Sequence, residues 1–138
     1  MEAQTIKQFA DLVISVRKGL DQYLLDGDLP GVACAAGTLT SRINNLKTIV
    51  AAFDEREPND KDRFELSSLA STLDWLSKDK DVARDFAGLK LVLPPTEFNA
   101  SYPEVGIPGE IDSVAALIML RSALIEIVLE GKSLPLSA

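Results

Sequence analysis

The chain has 138 residues, a single cysteine, no histidine and a formal charge of −7 at pH 7. One thiol excludes a disulfide framework, and the lack of histidine excludes Ser-His-Asp and Cys-His catalysis, His-ligated zinc and carboxylate-histidine di-iron sites. The acidic balance argues against direct nucleic-acid binding, because holding a phosphate backbone takes clustered Lys and Arg.

Residues 2–26 carry Ile6, Phe9, Val13, Val16, Leu20 and Tyr23 at spacings of three, four, three, four and three. That periodicity predicts one long amphipathic helix packed lengthwise on others. Gly19 inside it costs about 0.5–1 kcal/mol relative to Ala, and a lone interior glycine marks a place for another helix to come close. The sequence GDLPG then turns the chain, which makes an antiparallel helical hairpin the simplest geometry. Residues 32–55 resume the helical pattern at Val32, Ala36, Leu39, Ile43, Leu46, Val50 and Phe53. They open on VACAAG, a run of small residues that admits a neighbouring backbone. Two geometries fit: one long helix, or a short turn before a helix capped by Thr38 or Thr40. Cys34 in this apolar patch reads as a small buried hydrophobe rather than a reactive thiol.

In DEREPNDKD, residues 54–62, Pro58 stops the helix and Asn59 or Asp60 is placed to cap the next. That helix, over residues 61–78, has Leu66, Leu69, Leu73 and Leu76 on one face with Phe64 and Trp75 near it. Trp75 reads as a core or edge-of-core residue rather than an exposed binding anchor. Asp79 or Asp81 then starts a short helix through Val82 and Phe86, which Gly88 ends. LKLVL, residues 89–93, fits a β-strand or an extended run on the bundle; with no clear partner strand, the extended run is favoured.

Residues 94–110, PPTEFNASYPEVGIPGE, hold four prolines, two glycines and two aromatics. Loops this long in small domains are uncommon and are usually functional or disordered, and the apolar content here argues against simple disorder. An ordered Pro-rich excursion is expected, with Phe98, Tyr102, Glu104 and Ile107 as candidate partner-binding residues.

Residues 111–130, IDSVAALIMLRSALIEIVLE, form the element around which the chain is built. Their polar positions Asp112, Ser122, Glu126 and Glu130 fall in one stripe, and a helix apolar nearly all round is a buried helix. Asp112 places negative charge in its first turn, and Gly131, Lys132 and Pro135 supply its stop. A membrane span is disfavoured because Arg121 and Glu126 interrupt the apolar run. Arg121 breaks the pattern from the opposite side, among Val114, Leu117, Ile125 and Val128. An unpartnered buried guanidinium is costly, so Arg121 either snorkels, pairs with an acid of the core, or faces another chain as a partner-binding residue.

Carboxylates are the chemistry left over. Asp81 and Asp85 stand four apart and Asp54, Glu55 and Glu57 cluster, but interleaved Lys80, Arg84 and Arg56 read as solvated, charge-balanced faces. Asp60 to Glu65 lacks the glycine and twelve-residue spacing of a calcium loop. No phosphate-cradling glycine motif is present. No metal, cofactor or catalytic residue is therefore expected.

The fold expected is an all-α bundle of four to five helices, one domain over residues 1–138, with a long ordered Pro-rich loop before the C-terminal core helix. The start, MEAQTIKQFADL, has no basic-then-apolar signal pattern, which gives a cytoplasmic reading. The expected role is a non-catalytic assembly or structural subunit of an intracellular or virion-type complex, binding a protein partner or itself as a homo-oligomer, without nucleic acid or membrane. Thirteen acids against seven bases over residues 51–110 support the alternative, a small acidic inhibitor or immunity-type protein that neutralises a basic partner.

Overall fold

Wherever apolar residues recur at three and four for several turns, the chain forms a helix and buries that face. The computed structural model describes residues 3–24, 29–93 and 109–129. In order, it contains α1 (Ala3–Gly19), α2 (Asp21–Leu24), α3 (Pro30–Phe53), α4 (Asp60–Lys78), α5 (Lys80–Phe86), β1 (Lys90–Leu93), β2 (Gly109–Asp112) and α6 (Ser113–Leu129). The architecture is an all-α bundle: α4 packs along α6, α1 along α3, and α5 crosses the start of α3. Phe9, Leu12, Leu39, Leu73, Phe86 and Leu124 are among the side chains at its centre. Among the described residues, no helix is long and apolar enough to cross a membrane.

The single helix expected over residues 2–26 is broken. Leu20 lies in a turn whose carbonyl accepts from the Tyr23 and Leu24 N–H groups, so α2 restarts after α1 ends. Gly19 does mark a close approach, but of a strand. A Cβ there would lie 3.1 Å from the Leu91 side chain of β1.

Helix α3 resolves the ambiguity at VACAAG in favour of one continuous helix, with Thr38 and Thr40 inside it and Pro30 in its first turn. Leu29 offers no capping side chain; the cap comes from α5, where Asp85 Oδ2 accepts the Gly31 N–H at 2.6 Å. Asp85 is therefore not on the solvated face expected of it: its side chain is 7% exposed, with Arg84 Nε 3.1 Å away. Nor is Cys34 buried; it lies on the exposed side of α3.

Helix α4 begins as its sequence predicts. Asn59 Oδ1 accepts the Asp62 N–H at 3.0 Å and Asp62 Oδ2 accepts the Asn59 N–H at 3.1 Å, a reciprocal capping box. Arg56 closes over it, with Nη1 2.6 Å from Asp62 Oδ2. Removing such a cap costs about 1 kcal/mol. Asn59→Ala is expected to lower the urea midpoint correspondingly while leaving the slope of the transition unchanged; an unaltered midpoint would show that the box contributes nothing.

The extended run favoured for residues 89–93 is a strand after all. β1 pairs antiparallel with β2, Lys90 opposite Asp112 and Leu93 opposite Gly109. Tyr23 secures the outer edge of β1: its hydroxyl donates to the Lys90 carbonyl at 2.5 Å and accepts the Lys90 N–H at 3.2 Å. Because β2 takes residues 109–112, Asp112 belongs to the strand and α6 begins at Ser113. Buried Ser113 donates both its N–H and its hydroxyl to the Leu89 carbonyl, at 3.1 and 3.0 Å, tying the start of α6 to the start of β1.

Both capping carboxylates are held below the ordinary range, Asp62 chiefly by the Arg56 hydrogen bond and Asp85 chiefly by the Gly31 N–H. A carboxyl whose folded pKa is depressed contributes stability above its unfolded value, near 3.9, and loses it as pH falls through the folded value. The melting temperature is expected to be level between pH 7 and about 5 and to fall below about 4. In Asp85→Asn the same scan should start lower and fall less steeply. An unchanged acid limb in that variant would contradict the assignment.

Candidate functional site

Arg121 sits on a helix rich in Leu, Ile and Val, and reaches across the bundle from α6 to α4. Its Nε lies 3.3 Å from Asp74 Oδ1, with the Arg121 side chain 40% exposed. Lys78, one turn further along α4, approaches the same oxygen at 3.2 Å. The guanidinium thus combines two of the three options open to it, an acid of its own chain and partial access to water. Screened in this way, the ion pair is worth at most about 1 kcal/mol.

Beside the pair lies a groove of about 290 Å³ between α4 and α6, lined by Ser67, Ala70, Ser71, Asp74, Arg121, Ile125 and Val128. The lining order shows the two helices running antiparallel, since Asp74 meets Arg121 at one point while Ser67 and Val128 lie further along in opposite chain directions. The groove is smaller than most small-molecule sites, which run from about 300 to 1,000 Å³.

The large exposed hydrophobic side chains of the described residues are Phe64 and Trp75 on α4, at 71% and 52% exposed, and Ile118 on α6, at 49%; the groove lining includes none of them. Phe64 and Trp75 are eleven residues apart, three turns of helix, so they point the same way from α4. Ile118 stands one turn before Arg121 on α6. Contiguous exposed apolar patches mark interaction surfaces, whereas single exposed apolar residues are ordinary. No known protein family, curated protein or solved structure matches this chain.

Of the residues singled out in the sequence, Arg121 lines the groove. Phe98, Tyr102, Glu104 and Ile107 lie outside the described residues. Trp75 corrects its expectation, being an exposed side chain rather than a core one. The signal was available: Leu66, Leu69, Leu73 and Leu76 define the buried arc of α4, and steps of 100° per residue put Phe64 and Trp75 on the far side. Ile118 corrects a broader expectation, that a helix apolar all round is buried all round. The buried arc of α6 is Ala116, Leu117, Leu120, Ala123, Leu124 and Ile127, and Ile118 lies outside it.

Among the described residues, no three His, Cys, Asp or Glu side chains converge to hold a metal ion. The carboxylates that drew attention have structural partners: Asp62 with Arg56, Asp85 with Gly31 and Arg84, and Asp81 with Arg84 at 3.3 Å.

Proposed function

We propose that this protein is a non-catalytic subunit of a larger intracellular or virion-type protein assembly, acting through protein–protein contact. The observation that carries this reading is the pair of exposed aromatics, Phe64 and Trp75, on one side of α4, with exposed Ile118 on the neighbouring helix α6. Aromatic anchors beside small residues are what a partner surface buries, and Arg is common at such interfaces.

The test is the absolute mass of the purified protein by light scattering on a sizing column, at low and high salt. A discrete species heavier than the 14.9 kDa chain that survives high salt supports apolar association. A mass of one chain at both salts overturns self-association as the basis of this reading. Arg121→Leu is expected to leave helix content unchanged by circular dichroism and to shift the apparent association constant by several-fold, since it removes one of the two charge partners of Asp74. A fall in melting temperature with association untouched would make Arg121 purely structural.

One observation favours a second reading, a small acidic protein that neutralises a basic partner. Asp54, Glu55 and Glu57 are all exposed in the segment after α3. Association steered by those charges would weaken steeply with salt, the opposite of the behaviour expected of the apolar face.

A further inference from the structure

Resting on the assembly reading, we propose that the partner seated on this face is a second copy of this chain, with α4 packed antiparallel against α4 of its twin about a twofold axis near residues 69 and 70. The argument begins with the outward stripe of α4. Phe64, Ser68, Ser71 and Trp75 follow one another at spacings of four, three and four, which keeps them on one side of the helix. In size they read large, small, small, large. An antiparallel twofold in which residue i meets residue 139 minus i sets Phe64 against Trp75 of the twin, and Ser68 against Ser71. The small pair at the axis lets the helices close to the 8–10 Å of ordinary helix packing, and the aromatic pairs at either side fill the space their separation leaves. A surface that complements itself in this way is what a twofold dimer requires.

Charge points to the same arrangement. Asp60 and Lys78, the first and last residues of α4, are eighteen residues apart, five full turns, and so share one flank of the stripe. Antiparallel pairing sets that flank against the same flank of the twin and brings Asp60 within one residue of the level of Lys78, so unlike charges meet at each end of the contact. Between them the groove contributes Asp74 and Arg121, already paired at 3.3 Å. These contacts offset part of the repulsion between two molecules of net charge −7. The size of the contact is modest. The nineteen residues of α4 span about 28 Å. A contact along one helix of that length belongs at the low end of specific interfaces, about 600 Å² per partner, and a dimer in the micromolar range is expected.

Trp75 is the sole tryptophan of the chain, so its emission reports on this face directly. The experiment follows absolute mass and tryptophan emission together while the full chain is diluted from about millimolar to nanomolar. The expected result is a mass passing from two chains to one, with emission shifting to the red in step. Ser71→Glu, at an exposed position, should weaken dimerisation at least tenfold with circular dichroism and melting of the monomer unchanged. Lys78→Asp should weaken it several-fold, and adding Asp60→Lys should restore it, a rescue that the antiparallel register alone provides. A heavier species indifferent to Ser71→Glu overturns this dimer while the assembly reading stands on another face. Blue emission at a mass of one chain means another segment of the same chain covers Trp75, and also overturns it. A mass of one chain with red emission at every concentration overturns both this proposal and self-association.

Discussion

Gly31→Ala is expected to lower the melting temperature by about 10 °C, more than a methyl group at Gly19, where the neighbour is a side chain, or at Gly37, where the space is open. A Cβ at position 31 would lie 2.3 Å from the Asp81 carbonyl oxygen, 2.7 Å from its carbon and 2.9 Å from Asp85 Oδ2. Two of those atoms are backbone of α5 and cannot rotate away. Relief requires lifting α5 off the start of α3, which breaks the Gly31 to Asp85 hydrogen bond and loosens Val82 and Phe86 from the core. Overpacking of this kind costs about 3 kcal/mol, and for a chain of this size each kcal/mol is worth roughly 3–5 °C. Thermal unfolding followed by circular dichroism checks it. A change under about 2 °C would mean that α5 does not rest on α3 as described.

Leu120→Ala and Ile118→Ala, two positions apart on α6, are expected to differ sharply. Leu120 is fully buried and Ile118 is 49% exposed. Truncating a buried leucine loses its transfer free energy and leaves a cavity, together about 3–4 kcal/mol, whereas truncation at a half-exposed site costs about 1 kcal/mol or less. Urea unfolding of the two variants at protein concentrations below any association decides the matter. Equal losses would place Ile118 in the core and remove one member of the proposed surface.

The contrast also shows what the sequence could and could not disclose. Period and capping are local properties, and they located α3, α4 and α6 to within a few residues. The box formed by Asn59 and Asp62 was visible because three residues of chain carry all of it. Which side of α6 faces outward was not, since Ile118 and Leu120 are equally apolar and only the positions of α1, α4 and α5 separate them. The second strand escaped for a related reason. GEID has little strand character of its own, and it pairs because α6 must begin beside Leu89, where Ser113 is bound. The cap on Gly31 comes from a residue 54 positions away, and no reading of neighbouring residues finds it. At the candidate site, Arg121 stood out by contrast with its surroundings, while Phe64 and Trp75 were drawn toward the core by their chemistry although their spacing from the leucines pointed outward.

The pairing of Leu93 with Gly109 has a consequence for how this protein can change. Whatever conformation residues 94–108 take, they leave and re-enter the bundle about one strand spacing, roughly 5 Å, apart. The entropy lost in closing such a loop grows only with the logarithm of its length, about 0.6 kcal/mol for each doubling. The helices are thus nearly indifferent to how many residues lie between the two strands. Lengthening, shortening or exchanging that stretch leaves the packing problem of the bundle already solved, so variants of this chain can differ there in length and composition while retaining one scaffold.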